Sequence, residues 1–505
     1  MKKNLFLLFL MCAGITLNAQ QITGEDVFPI KDYSVFEYGY PLMVAPGGGD
    51  EFVYIEYWPE NIAGRKEQNY YLQKYRITDY SEIWFKPLTY LGYDQIPEVT
   101  HLYKMDKRYV LIGHQYNNKE KRTVSVARFW EYDGKSPDLD VTLLSKYGKS
   151  APKKDMVENI YLSPNDKALM WFATNEDKNY ATGWSSLGES LWEKEIAFPM
   201  SDKYSIKDAV IDDKGNPTFL LSASKPSYSI KDTLTPPIIM YMNMKSGKTV
   251  YEKIKLDSGQ YMVKSFLRLL SNEEAIVAGM ISNYDSKGNP KPMGTKNGIK
   301  QGEQNQYWTH FYSGKFKVSG DSVKMVRDSI SEMPDTWMTK YKDGSSFSNF
   351  QLVIDPGVIT KGIEPSATII FEEEYKDSDK IFYGDIGYAS FKLNTMALNF
   401  TGYIVKKQRD QARGSYLQYL SYALGKTKGK IHFVYLTEAG AAGKLVVQNV
   451  DLKTGIKTEK VLANNDQSMN YFFPSRSKMV SGNQMILVGV GNPSQNNYKL
   501  MTITF

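Results

Sequence analysis

The chain has 505 residues, 62 of them Lys or Arg and 56 Asp or Glu, for a formal net charge of +6 and a single cysteine. So small a basic excess, spread among nearly as many acids, excludes a nucleic-acid footprint. One cysteine excludes a disulfide framework and a thiolate metal site. With 37 tyrosines and 23 phenylalanines, the composition favours strands over a helical solenoid.

Residues 1–19 read as a cleaved signal peptide. Lys2 and Lys3 give a positive start, residues 5–11 are apolar throughout, and Leu17-Asn18-Ala19 places a small residue at the cut, leaving Gln20 as the new terminus. The apolar core is too short to span a bilayer comfortably, and no later run of about eighteen apolar residues supplies a transmembrane segment. Cys12 lies inside this leader, and the bulky Phe9-Leu10-Met11 before it argues against lipidation. The mature chain, 20–505, therefore has no cysteine and must be held by packed apolar cores.

The mature chain opens on an aromatic run at Tyr33, Phe36, Tyr38 and Tyr40. Gly47-Gly48-Gly49 precedes a strand at 52–57 and lacks a Gly-Lys-Ser/Thr ending, so it reads as a turn rather than a phosphate loop. Strand candidates follow at 70–75, 83–85, 101–103, 109–113 and 124–132, with a turn at Asp133-Gly134. The basic connector 146–154 reads equally as a linker or an inter-strand loop.

A strand, turn, strand unit then recurs around Ser163-Pro164-Asn165-Asp166-Lys167, Asp212-Asp213-Lys214-Gly215-Asn216, Asn243-Met244-Lys245-Ser246-Gly247 and Asp451-Leu452-Lys453-Thr454-Gly455. Short aromatic-rich runs separated by compact turns continue through 380–438, and the chain ends in a strand at 500–505. Such repetition predicts an all-β fold, a single β-propeller over 20–505. Seven blades is the preferred count and eight the alternative. The glycine-rich, polar interval 285–306 reads as a long loop or a blade insertion.

Candidate chemistry is sparse. His101, His114, His310 and His432 are far apart and form no zinc motif. In its alternating run, His432 should point opposite Ile431 and Phe433. There is no Gly-x-Ser-x-Gly elbow and no sialidase box, and the pairs Asp212/Asp213 and Asp377/Asp379 sit in turns. No catalytic residue, cofactor or metal is nominated. The candidate partner-binding residues are Trp184 and Trp308 beside polar loops, Lys287, Lys291 and Lys296 in the long loop, and the acidic tract Glu372-Glu373-Glu374, whose plainer reading is a solvated strand end.

Over 385–436, Asp385-Ile386, Phe391-Lys392-Leu393-Asn394, Ile404-Val405-Lys406-Lys407-Gln408, Ser415-Tyr416 and Ile431-His432-Phe433-Val434-Tyr435 occur in an order that resembles secreted β-propeller proteins of Bacteroidota. Leu17-Asn18-Ala19-Gln20 is similar to cleavage sites of that phylum. Two departures are Thr395 to Gly402, where a Gly and Trp usually start a strand, and Thr437-Glu438 in place of Asn-Asp. The resemblance implies a periplasmic location, peripheral to the outer membrane, because 480–505 reads as propeller rather than as a sorting domain. It further implies an accessory or plug subunit of an outer-membrane translocon such as the type IX machine. The expectation is a non-catalytic protein-interaction module whose partner is an outer-membrane or periplasmic protein. A glycan-binding or glycan-cleaving propeller is the alternative.

Overall fold

In the strand Lys430–Leu436, Ile431, Phe433 and Tyr435 pack with Tyr388 and Ile404, while Val434 and Leu436 pack with Met485, Leu487 and Ile503 on the opposite face. A strand covered on both faces loses its polar alternation, which is why Phe433 to Leu436 run apolar without a break. The computed structural model describes residues 21–29, 40–58, 69–88, 98–117, 122–135, 142–143, 157–175, 178–198, 204–223, 236–257, 259–283, 308–334, 346–357, 362–377, 380–406, 408–409, 421–437, 443–463, 471–490 and 497–505.

These residues form eight antiparallel sheets, seven of them built from consecutive strands in chain order. The eight sheets are the blades of one propeller. The count is eight rather than the preferred seven, because the last blade is assembled from both ends of the chain. Gln21–Pro29 pairs with Asn497–Thr504 as the outermost strand of a sheet otherwise made from residues 471–504.

The innermost strands of blades 1 to 7 are Tyr40–Pro46, Glu98–Lys104, Val157–Leu162, Tyr204–Ile211, Gln260–Ser271, Ser346–Asp355 and Ala423–Thr427. Apolar clusters lie between neighbouring blades, such as Phe52, Tyr54, Ile486 and Leu500 between blades 1 and 8. Each fully buried large apolar side chain contributes about 1.5–3 kcal/mol, so the inter-blade faces hold the ring without cross-links.

The turns recognised in the sequence close as read. Asp212 Oδ1 accepts the amides of Lys214 at 2.9 Å and Asn216 at 2.8 Å, and Ser163 Oγ accepts those of Lys167 and Ala168. They also interlock blades. Asn165 donates to Asp213 from both its backbone and its amide group, and Asp213 N donates to Asn272 Oδ1 at 2.9 Å. One end of the ring is thereby stitched across blades 3, 4 and 5. The interval 285–306, with Lys287, Lys291 and Lys296, lies outside the described residues. It separates the second and third strands of blade 5, Glu274–Asn283 and His310–Ser319.

Candidate functional site

Five inner strands share an irregularity. Register shifts fall at Pro41/Met43, Val99/His101, Ile206/Asp208, Met262/Lys264 and Ser348/Gln351. A bulge inverts the side-chain alternation locally and re-aims one side chain. In blades 4 to 6 the re-aimed segments carry charge or hydrogen-bonding groups, and two sites result.

The first site joins blades 6 and 7. Glu372, in the strand Ser366–Asp377, is 0% exposed and Glu373 is 8% exposed. The expectation of a solvated acidic strand end is thus corrected for both. A second register shift, between Glu372 and Glu374, turns these carboxylates inward. Glu372 Oε1 accepts the Lys406 ammonium. Glu372 Oε2 accepts the Asn349 amide and, at 2.6 Å, the Ser421 hydroxyl. Gln408 completes the set, accepting Lys406 Nζ at 2.6 Å and Ser421 N at 2.7 Å while donating to Leu436 O at 2.5 Å.

Asn349 and Ser421 both adopt left-handed backbone, with φ of 50° and 77°. A non-glycine residue there is strained and must be held by its surroundings. Glu373 needs Gly384 opposite it, since a Cβ there would lie 2.2 Å from Glu373 Oε2. Burial holds the Lys406 pKa below its ordinary value, against the opposing pull of Glu372. With both side chains at 0% exposure, this pair is a structural clasp closed to ligands. Glu374 is half-buried.

The second site opens on the channel. A pocket of about 340 Å³ is lined by Asn159 and Tyr161 of blade 3, Lys207 and Asp208 of blade 4, and Lys264, Phe266 and Arg268 of blade 5, among others. Lys207 occupies the bulge between Ile206 and Asp208. Asp208 is committed to the frame, accepting Arg268 Nη1 at 2.8 Å, Leu267 N at 2.9 Å and Ala209 N at 2.9 Å. Burial raises its pKa against the pull of Arg268.

Lys264 Nζ lies 5.8 Å from the centre of the Phe266 ring and 5.2 Å from that of Phe350, a cation–π arrangement. Neither Lys207 nor Lys264 has an acidic partner among the described residues. Arg268 and Asp208 cancel, so the lining carries a net charge of +2. Burial, and then the nearby Lys264 ammonium, lower the Lys207 pKa.

The sequence-nominated tryptophans are packing residues here. Trp184 is 6% exposed and lies 6.4 Å from Phe129 between blades 2 and 3. Trp308 is 2% exposed in the cluster of blades 5 and 6, with its ring 4.6 Å from that of Phe347 and 5.4 Å from that of Phe371. No tryptophan whose burial is described is exposed, so the exposed tryptophans expected of a glycan site are not found among the described residues. Nor is a group of His, Cys, Asp and Glu side chains placed to hold a metal, and no helix there is long and apolar enough to cross a membrane.

Of the nominated residues, Glu372 and Glu373 come together. Lys406, Gln408, Asn349 and Ser421 were missed as site residues, although Lys406 and Gln408 stood in the tract that carried the resemblance. Lys207, Lys264 and Arg268 were also missed. Their signal was a cation inside a strand-forming run, between Ile206 and Asp208, Val263 and Ser265, and Leu267 and Leu269.

No protein-family model matches the chain, nor does any curated protein. Among solved structures it is similar to the Dos1 propeller, at 10% identity and a TM-score of 0.43, covering 97% of this chain and 96% of that one. It is similar to the polysaccharide lyase Uly1 at 10% identity and a TM-score of 0.43, covering 97% and 93%. A third match, BamB from Moraxella catarrhalis, has 10% identity and a TM-score of 0.30, covering 81% and 100%. At these identities the likeness is one of fold alone.

Proposed function

We infer that the protein is a non-catalytic protein-interaction module of the cell envelope, exported by its 1–19 leader to the periplasm and held peripherally at the outer membrane. The resemblance of 385–436 to secreted propellers of Bacteroidota narrows the reading to an accessory or plug subunit of an outer-membrane secretion translocon, the type IX machine being the candidate. The observation that carries the interaction reading is the channel pocket, whose two lysines have no internal counter-ion among the described residues. An unmatched charge of this kind favours a partner of opposite sign and speeds its encounter.

Affinity isolation tests the reading. The full mature chain, immobilised and exposed to solubilised envelope membranes, should enrich an integral outer-membrane protein, and raising the salt should release it. Recovery of the chain only as a free monomer, with no envelope protein enriched at low salt, would overturn it.

A further inference from the structure

We propose that the channel pocket between the inner strands of blades 3, 4 and 5 is a binding site for carboxylate side chains of an acidic protein segment, with Lys207 and Lys264 as the anion-binding residues. The source of the carboxylate rests on the protein-interaction reading. The pocket's preference for an anion does not.

Charge gives the sign of the ligand. Two ammonium groups face one space of about 340 Å³, and the single carboxylate in the lining is taken up by Arg268 and two backbone amides. Like charges in one partly enclosed site repel, and an entering anion relieves that cost for both. The depressed pKa of Lys207, caused in part by Lys264, registers the same repulsion. Elsewhere, the deeply buried ammonium of Lys406 has Glu372 against it, in contrast to the two lysines of this pocket.

Geometry narrows the class. Lys207 is placed by a bulge, and Lys264 is the first residue after one. Bulges of this kind re-aim side chains beside functional sites. Arg268 has its Nη1 occupied by Asp208 and by Leu267 O at 2.6 Å, so the fork that favours bidentate phosphate recognition is partly engaged. The two lysines remain, as point charges matched to separate carboxylates. Phe172 and Phe266 supply an apolar wall, and Asn159, Tyr161, Thr174 and Ser265 supply hydrogen-bonding groups. The volume lies at the small end of ligand pockets, which run from about 300 to 1,000 Å³. Acidic side chains beside an apolar one suit it better than a folded element does.

Calorimetric titration of the full mature chain tests the proposal with three probes: the capped tripeptide Glu-Phe-Glu, its Gln-Phe-Gln counterpart, and inorganic phosphate. The acidic peptide should bind, the neutral one should bind at least tenfold more weakly, and added salt should weaken the first. Lys207→Gln with Lys264→Gln should cost at least tenfold in affinity. Lys245→Gln, an exposed lysine in the turn at the other end of blade 4, should leave affinity unchanged.

Equal binding of the two peptides, or no binding of the acidic one, would overturn the proposal, and neither result needs a variant to fold. Phosphate binding that depends on the two lysines, without peptide binding, would overturn the assignment to an acidic protein segment. A negative affinity isolation beside a positive titration would remove the interaction reading and leave the pocket's specificity standing.

Discussion

Lys406 carries its ammonium to a position with no solvent-exposed side-chain surface, and Glu372 meets it there. Removing one member of such a pair strands the other, at a cost of about 3–5 kcal/mol, whereas an apolar replacement of both is often far milder. Lys406→Met should therefore lower stability by about that amount, read as the shift of the urea midpoint, and Lys406→Met with Glu372→Leu should recover part of it. A double change costing as much as the two single costs added together would show that the pair is not coupled. His432 gives a second prediction at this scale. Its Nδ1 contacts Asn449 Oδ1 at 2.6 Å, its Nε2 contacts Thr427 Oγ1 at 2.8 Å, and its ring stacks on Phe505 at 4.1 Å. Burial, aided by Lys430 and opposed by the Asn449 hydrogen bond, pushes its pKa from 6.5 down to about 4. Between those values the unfolded chain binds the extra proton, so stability rises with pH. The contribution is full above about 6.5 and is lost as pH falls toward about 4, a change of about 3 kcal/mol. His432→Gln should flatten the stability profile across that window by close to one proton, measured as urea midpoints against pH, and an unchanged slope would refute the assignment.

At the scale of the element, turns and bulges contribute differently, and Gly47-Gly48-Gly49 separates the effects. These residues belong to the turn joining the first two strands of blade 1, where Gly47 N donates to Glu51 O at 2.8 Å and Gly47 O accepts the Tyr109 hydroxyl at 2.7 Å. A Cβ on Gly47 would lie 2.6 Å from the backbone carbon of Glu51, which cannot move aside without opening the turn, whereas Gly49, at φ +59°, has nothing within 4 Å. Gly49→Ala should cost only the left-handed backbone penalty, about 1–2 kcal/mol. Gly47→Ala should cost more and should weaken the link to blade 2, read from urea midpoints of the two variants. Equal costs would mean that the close approach is not rigid. The same contrast explains what could be read in advance. Asp212, Ser163 and Asp451 bind amides within four or five residues of themselves, so their turns are local and were legible. His432 was legible for a related reason: alternation alone put it opposite Phe433, where it meets Phe505. Glu372 was misread because the bulge beside it defeats alternation, and its partners arrive from residues 349, 406 and 421. Lys207 and Lys264 escaped for the same reason, since bulges set the direction of both and blades 3 to 5 complete their pocket.

For the whole molecule, ring closure depends on pairing residues 21–29 with residues 497–504. Gln21 faces Thr504 and Pro29 faces Asn497 along one antiparallel ladder. This long-range pairing also accounts for eight having been the alternative count rather than the preferred one, because neither terminal segment reads as a complete four-stranded sheet by itself. Phe505 follows the ladder: its amide donates to Asn483 O of the same blade at 2.8 Å, and its ring lies on His432 of blade 7. Contacts of such sequence separation carry a large loop-closure cost and form slowly, so the last blade should be the weakest point of the ring. Deleting residues 20–29 would leave Asn497–Thr504 as an unpaired edge, a ready template for pairing with another chain. The expected outcome is a lowered thermal midpoint together with concentration-dependent association in size-exclusion chromatography, while far-ultraviolet circular dichroism of the other seven blades is retained. Adding the 20–29 segment as a separate peptide should reverse both effects by filling the edge. A deletion variant that stays monomeric at the midpoint of the full chain would show that the ring closes without this strand. Phe505→Ala probes the other end independently. Leaving the ladder intact while unstacking His432 should raise that histidine's pKa from about 4 toward 6.5, measured by NMR titration of the imidazole, without the association that follows loss of residues 20–29.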